Sequence, residues 1–75
     1  MILCLDSGNS RIKWGIVDAG QWLAQGAVEH AQSAELSALI DAWPTLSRVM
    51  LANVAGDEAG MRLRKHLEAW AGLFE

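Results

Sequence analysis

The chain has 75 residues and a formal net charge of −3, with 52% hydrophobic and 20% charged residues. This composition excludes collagen-like and intrinsically disordered chains, which contain much more Gly and Pro or far fewer apolar residues. The length allows one small domain, which is marginally stable unless something supplements its core.

Three strands are predicted in the first 29 residues. Residues 1–5 form a short apolar run, typical of a buried strand, and residues 6–10 are a cluster of turn formers. The next segment alternates, with one face made of Ile12, Trp14 and Ile16. Residues 18–20 predict a hairpin turn, and a third strand runs from residue 21 to about 29, where Gly26 indicates a bulge or an edge position. We expect an antiparallel meander.

The period then changes to that of a helix. Leu36, Leu39, Ile40 and Trp43 have the i, i+3, i+4, i+7 spacing of one helical stripe. Ser33 is predicted to cap this helix, and Pro44 to end it. Residues 49–54 are a second apolar run, which predicts a strand adjacent to the first and buried, like it, on both faces.

A final helix is predicted after Asp57, whose carboxylate is expected to cap it. Its outer face carries the i, i+4 pairs Glu58–Arg62 and Arg64–Glu68. Its inward stripe comprises Leu63, Leu67, Trp70, Ala71 and Phe74. The four tryptophans all fall on apolar faces and are predicted to be core contacts. The predicted order is β-β-β-α-β-α, a mixed α+β or α/β fold.

Several partners and compartments are disfavoured by the same residues. The six basic residues form only one cluster, at positions 62–65, so a nucleic-acid-binding surface is not expected. The one cysteine, Cys4, cannot form an internal disulfide, which points to a reducing compartment. No apolar run approaches the roughly 18 residues of a membrane span, and no signal peptide is recognisable. We expect a soluble, cytoplasmic protein that contacts no membrane.

Residues 6–13, Asp-Ser-Gly-Asn-Ser-Arg-Ile-Lys, are the one segment whose pattern indicates chemistry. Backbone N–H groups in a turn around Gly8 and Asn9 can form a concave anion site. Ser10 adds a hydroxyl donor and Lys13 a positive charge. Asp6 suits a hydrated Mg²⁺, which takes only one or two protein carboxylates. The pattern indicates a nucleotide phosphate site with its metal.

The alternative to this site is a plain hairpin with an Asx-type turn and a solvated Lys13. The segment is not a Walker loop, because no G-x-x-x-x-G-K-[ST] occurs and a strand follows. His30 and His66 have no partner at metal-ligand spacing. The candidate site residues are Asp6, Ser7, Gly8, Asn9, Ser10, Arg11, Ile12 and Lys13, with Asp6 as metal ligand and no catalytic residue assigned.

The opening segment resembles that of type III pantothenate kinases, a family that also contains the Bvg accessory factor proteins. Their signature is an apolar strand followed by D-x-G-N-[ST]-x-x-K, whose fixed positions are occupied here by Asp6, Gly8, Asn9, Ser10 and Lys13. Residues 51–56 resemble the family's next strand and turn. The predicted element order is similar to the first half of a ribonuclease H-like domain in the actin/sugar-kinase/Hsp70 superfamily.

The resemblance implies ATP-dependent phosphorylation of pantothenate, the first step of coenzyme A biosynthesis, with Mg²⁺ and a monovalent cation (K⁺ or NH₄⁺). It implies that Asp6 helps to hold the metal and that residues 8–13 contact the ATP phosphates. It also implies that the family members are longer chains that form homodimers. The part outside these 75 residues would supply the catalytic base, in a G-x-D-R segment, and most of the pantothenate pocket.

We therefore expect residues 1–75 to be the amino-terminal part of an ATP-binding domain, inactive alone, with an open edge on the strand at 49–54. A non-catalytic regulatory protein of the same fold is the alternative. A free-standing interaction domain, in which residues 6–13 are only a turn, is a third possibility. A later G-x-D-R segment in the full-length gene would favour the kinase.

Overall fold

A four-stranded sheet in the order β3-β2-β1-β4 organises the chain, and the computed structural model describes all of residues 1–75. Two short 3₁₀ segments, at 30–37 and 68–73, flank the helices in sequence. The elements are β1 (Ile2–Ser7), β2 (Arg11–Asp18), β3 (Gln21–Glu29), the first 3₁₀ segment (His30–Ser37), α1 (Ala38–Ala42), β4 (Arg48–Asn53), α2 (Asp57–His66) and the second 3₁₀ segment (Glu68–Leu73). This confirms a mixed α/β fold.

The predicted antiparallel meander of β1, β2 and β3 is confirmed. The turn between β2 and β3 has positive φ at Ala19 (50°) and Gly20 (79°). Positive φ at both central residues gives a two-residue turn the twist that matches its strands. β1 is longer than predicted, because Asp6 and Ser7 still pair with β2 rather than starting the turn.

Gly26 marks an edge strand, as predicted, but no bulge. The pairing irregularity lies elsewhere in the strand: Ile16 and Val17 of β2 pair with Ala24 and Trp22, so the extra residue is Leu23 of β3. Gly26 faces the Trp14 indole, to which a Cβ at this position would approach within 2.7 Å. The missing side chain therefore makes room for a tryptophan.

β4 runs parallel to β1, so the two apolar runs are neighbours as predicted. The prediction that both are buried on both faces is wrong. Helices cover only one face of the sheet; on the other, Cys4 is half-buried and Met50 is 46% exposed. The core between the sheet and the helices comprises Leu3, Leu5, Ile12, Ile16, Leu36, Leu39, Leu46, Val49, Leu63, Leu67 and Trp70.

The first predicted helix is mostly a 3₁₀ segment, and only residues 38–42 are α-helical. Ser33 is not its cap: it lies inside the 3₁₀ segment and is buried. The buried stripe of Leu36 and Leu39 is confirmed. The helix ends at Ala42, and Trp43, directly before Pro44, is no longer helical, because the residue before a proline disfavours the helical conformation.

The last helix begins at Asp57, but its cap position is Gly56, whose φ of 102° suits glycine. Asp57 makes no side-chain cap and instead lies in the first turn, where its charge favours the helix dipole. The predicted Glu58–Arg62 ion pair is present, with an N–O distance of 3.6 Å.

The predicted Arg64–Glu68 pair does not form, because the chain leaves the α-helix after His66. The Arg64 guanidinium instead lies 4.7 Å from the centroid of the Phe74 ring. In the predicted inward stripe Leu63, Leu67 and Trp70 are buried and Phe74 is half-buried, whereas Ala71 is exposed.

The outer edge of β4 is partly covered, which modifies the prediction of an open edge. Phe74 forms a parallel bridge with Val49, and the Glu75 N–H donates to the Val49 carbonyl at 3.0 Å. The Arg48 and Glu75 side chains add an ion pair of 3.2 Å at the same edge. None of the helices has the length and apolarity needed to cross a lipid bilayer.

The Ser7 hydroxyl gives a test of core packing, because it is fully buried without a hydrogen-bond partner. A buried polar group without a partner costs about 1–3 kcal/mol. We expect Ser7→Ala to leave the free energy of unfolding unchanged or to raise it by about 1 kcal/mol, measured by urea titration. Ser47→Ala is the control, since the Ser47 Oγ donates to the Met1 carbonyl at 2.9 Å. A greater loss of stability in Ser7→Ala than in Ser47→Ala would contradict the expectation that the unpartnered Ser7 hydroxyl contributes nothing to stability.

Candidate functional site

The connection between β1 and β2 is a tight turn at the carboxyl end of β1. The Gly8 N–H donates to the Arg11 carbonyl at 3.1 Å, which closes the turn. Just below it, Asp6 and Lys13 are directly paired across the two strands. Paired residues share one face of a sheet, so both side chains lie on the face without helices.

Six of the eight predicted site residues come together around a small polar cavity of about 290 Å³. No hydrophobic side chain lines it. Its lining residues are Asp6, Gly8, Asn9, Ser10, Arg11 and Lys13. The structure places the other two, Ser7 and Ile12, on the opposite face, fully buried in the core. We call this cavity the loop cavity.

The charges of the loop cavity are available for a ligand. Two cations, Arg11 and Lys13, face one carboxylate, Asp6, in a chain whose net charge is −3. None of the three forms an ion pair with another group of the chain. The cavity is therefore a local positive site on an acidic protein, which favours an anionic ligand.

The backbone of the turn contributes fewer donors than predicted. No residue from 6 to 13 has positive φ, so Asn9 is not left-handed and the alternating conformation of an anion nest is absent. The Gly8 N–H is occupied by the turn itself. The N–H groups of Asn9 and Ser10 make no backbone hydrogen bond and both residues are exposed, so these two donors are free.

His30 is a contributor that the sequence did not reveal. Its Nε2 lies 2.6 Å from the Gly8 carbonyl oxygen. Because a carbonyl oxygen only accepts, Nε2 carries the proton and donates. The contact ties the start of the first 3₁₀ segment to a turn 22 residues earlier, and no local pattern in the sequence signals it.

A second turn lies beside the first. The Val54 N–H donates to the Ser7 carbonyl at 3.0 Å, which brings the end of β4 to the end of β1. The Asn53 side chain closes this turn: its Oδ1 accepts from the Ala55 N–H at 3.1 Å and its Nδ2 donates to the Gly56 carbonyl at 2.8 Å. Residues 51–56, which resemble a family segment, therefore lie next to the loop cavity.

Asp6 supplies the only carboxylate in the loop cavity that could bind a metal ion. The chain contains no cluster of three or more His, Cys, Asp or Glu side chains that could hold a metal ion. Asp6 is exposed and free of ion pairs, and Ser10 lines the same cavity. Such a set fits a hydrated Mg²⁺ that shares its coordination with a phosphate ligand. These residues are too few to coordinate a metal ion without ligands from outside the protein.

The comparisons with known proteins all point to the same family. The family model described as type III pantothenate kinase matches residues 2–73. The chain is 62% identical over 74 residues to a protein named type III pantothenate kinase from Dechloromonas aromatica (strain RCB), covering 99% of this chain and 31% of that protein.

Two further relatives carry the same name. The Aromatoleum aromaticum protein (strain DSM 19018 / LMG 30748 / EbN1) is 50% identical over 56 residues, covering 75% of this chain and 23% of its own length. The protein from Janthinobacterium sp. (strain Marseille) is 47% identical over 77 residues, covering 91% and 27%. The chain thus spans less than a third of the length of these relatives.

The contribution of the His30 hydrogen bond to the stability of the turn can be tested by substitution. His30→Phe keeps a ring of similar size but removes the donor to Gly8. We expect the Gly8 amide to exchange with solvent about fivefold faster, equivalent to the roughly 1 kcal/mol of one hydrogen bond. Amide hydrogen exchange followed by NMR measures this.

The matched control for that variant is Ser37→Ala. It removes a hydrogen bond of 2.8 Å, from Ser37 Oγ to the Ala34 carbonyl, in the same 3₁₀ segment but away from the turn. Its Gly8 amide should exchange as in the unchanged chain. Equal Gly8 exchange rates in both variants would mean that His30 does not hold the turn.

Proposed function

The chain belongs to the type III pantothenate kinase family, and we propose that it supplies the ATP-phosphate-binding part of an enzyme that phosphorylates pantothenate. The observation that carries the proposal is the loop cavity, in which two unpaired cations and two free N–H groups surround a space of about 290 Å³. All five fixed positions of the family signature, Asp6, Gly8, Asn9, Ser10 and Lys13, line it together with Arg11. The reaction would be the first step of coenzyme A biosynthesis.

The proposed roles follow from charge and position. Phosphoryl transfer is catalysed chiefly by positioning and by stabilising negative charge on the phosphates. Lys13, a point charge on a flexible stem, would contact the phosphate oxygens, and Arg11 would add a second cation at the mouth of the turn. The Asn9 and Ser10 N–H groups, with the Ser10 hydroxyl, would donate to the same oxygens.

We propose Asp6 as the ligand of a magnesium ion that arrives with ATP. When bound, Mg²⁺ neutralises part of the charge on the phosphate groups. Asp6 is suited to this role because its carboxylate is exposed, unpaired and directly across the strands from Lys13. The requirement for K⁺ or NH₄⁺ is supported by the family resemblance alone.

A general base for the pantothenate hydroxyl is not among the residues of the loop cavity. Asp6 is its only carboxylate, and a group that holds the metal cannot also remove the substrate proton. We therefore propose that the base, the pantothenate pocket and the homodimer contacts belong to the part of the family outside the matched segment. The relatives reported above are named as kinases, and no observation favours the regulatory alternative.

We also propose the ribonuclease H-like assignment, with residues 1–75 as the amino-terminal part of such an ATP-binding domain. Its support is the sheet order β3-β2-β1-β4, with an antiparallel meander followed by one parallel strand after a helical crossover. A cytoplasmic location is proposed because the reaction consumes ATP.

The charge of Lys13 is tested in a hybrid kinase, in which this chain replaces the matched segment of the Dechloromonas aromatica relative. We expect Lys13→Ala to lower kcat/KM for ATP more than tenfold, about 1.4 kcal/mol or more of transition-state stabilisation. Lys65→Ala is the control, because Lys65 is exposed on α2, away from the loop cavity. Thermal unfolding should be unchanged in both variants. Wild-type kinetics in Lys13→Ala would show that this lysine is only a surface residue.

Activity of the chain alone is the second test of this proposal. We expect the isolated 75-residue chain to transfer no phosphate to pantothenate, because the loop cavity lacks a base, whereas the hybrid kinase should be active. A radiometric assay with labelled ATP measures both. Turnover by the isolated chain above the background of its Asp6→Asn variant would contradict the proposed division of roles.

A further inference from the structure

The Gly8 carbonyl has a single donor, and that donor is a side chain. No backbone N–H of the chain donates to it, because the turn is closed only by the bond from the Gly8 N–H to the Arg11 carbonyl. The His30 Nε2 supplies the donor at 2.6 Å, in a part-buried contact. The orientation of the peptide bond between Gly8 and Asn9 therefore depends on His30.

The peptide bond between Gly8 and Asn9 joins two residues that allow it to turn over. A peptide flip changes the ψ of the residue before the bond and the φ of the residue after it. Glycine accepts almost any ψ, and asparagine is enriched several-fold among non-glycine residues with positive φ. In the structure the φ of Asn9 is not positive, so the peptide occupies one of two accessible orientations. The local sequence does not select between them.

The two orientations present opposite groups to the loop cavity. In a planar trans peptide the C=O and N–H bonds point in opposite directions. The Gly8 carbonyl is directed at His30, which does not line the loop cavity. The Asn9 N–H of the same unit is thereby directed away from His30, and it is one of the two free donors of the turn. A flip would withdraw this donor and offer a carbonyl oxygen, which repels an anion, in its place.

The position of His30 is set by the core and not by the turn that it holds. The last residue of β3, Glu29, pairs with Arg11 at the start of β2, so the next residue lies beside the turn. From there the chain enters the first 3₁₀ segment, which is anchored by Ser33 and Leu36, 3% and 2% exposed. A group that positions another needs such a rigid support.

We propose that His30 is a positioning residue for ATP. It holds the Gly8–Asn9 peptide with the Asn9 N–H towards the loop cavity, where this N–H donates to the phosphate oxygens. The inference rests on the proposed function, since it needs the phosphates to bind at the loop cavity. His30 itself does not touch the nucleotide. A donor that is oriented in advance needs no reorganisation when negative charge arrives, so the effect falls on ATP and not on pantothenate.

Three substitutions separate the donor from the bulk of the side chain. His30→Phe removes the donor and leaves the Gly8 carbonyl against a ring, so that the present orientation has an unsatisfied carbonyl. His30→Asn keeps an amide that ends short of Gly8. His30→Gln extends that amide by one methylene, which brings its N–H₂ to the place of the imidazole Nε2 and should rescue the contact. The Asn and Gln variants are the matched pair, and they decide the matter if His30→Phe does not fold.

Binding is measured first, without catalysis. The chain contains two asparagines, Asn9 and Asn53, so ¹⁵N-asparagine labelling gives one backbone amide signal from each. Titration with inorganic pyrophosphate should shift the Asn9 signal, while Asn53, which does not line the loop cavity, serves as the internal reference. We expect the dissociation constant for pyrophosphate to rise at least about fivefold in His30→Phe and His30→Asn, and less than about twofold in His30→Gln.

Kinetics of the hybrid kinase give the second measurement. We expect His30→Phe and His30→Asn to lower kcat/KM for ATP at least about fivefold and to change the KM for pantothenate less than about twofold. His30→Gln should restore kcat/KM for ATP. A purely structural role would instead impair the use of both substrates together with the Tm, and a longer amide would not restore it.

The inference is overturned if the unchanged chain binds pyrophosphate and the hybrid is active, yet the Asn and Gln variants of His30 behave alike in both measurements. It is also overturned if the use of ATP and of pantothenate falls equally, because the contact would then serve the fold alone. A different result marks failure of the proposed function: pyrophosphate would leave the Asn9 signal of the unchanged chain unmoved. The inference would fail with it.

Discussion

The antiparallel register between β1 and β2 is the constraint on which the site depends. Leu3 opposes Ile16 in this register, and both are fully buried against the helices. A slip of one residue would turn a whole strand over, because side chains alternate between the faces. Asp6 or Lys13 would then point into the apolar core. Burial of leucine and isoleucine on one face thus fixes the position of the charges on the other.

The parallel pairing of β4 with β1 brings a second turn next to the turn after β1. Parallel strands end at the same edge of a sheet, so the turn after β4 lies beside the turn after β1. The hydrogen bond from the Val54 N–H to the Ser7 carbonyl holds the two ends together. Asn53 then folds the following turn on itself, and Gly60 leaves space for its amide, which would be 2.7 Å from a Cβ there. At this edge the local hydrogen bonds of Asn53 and the long-range hydrogen bond between Val54 and Ser7 stabilise the same turn.

The sequence predicted the features that follow from alternation and from turn chemistry. The meander, the strand at β4 and the convergence of Asp6 with Lys13 are of this kind, because a two-residue period and a glycine turn leave little freedom. Caps were predicted wrongly at Ser33 and Asp57, since capping depends on one residue's φ and ψ, which a 3₁₀ segment or the positive φ of Gly56 changes. The His30 contact spans 22 residues and has no local signal. Exposure of Trp22 was missed because periodicity identifies an apolar face but not what covers it.

The strength of the loop cavity as an anion site depends on how far water reaches its charged groups. Asp6 and Lys13 line both the loop cavity and a larger, mainly apolar cavity of about 740 Å³ on the face of the sheet without helices. Where water surrounds these side chains, the attraction between unit charges about 4 Å apart is about 1 kcal/mol. At the effective dielectric constant of about 20 that is typical of pairs near a protein surface, the same attraction is about 4 kcal/mol. For the role proposed for Lys13, the exposure of this edge of the sheet therefore matters as much as the number of its cations.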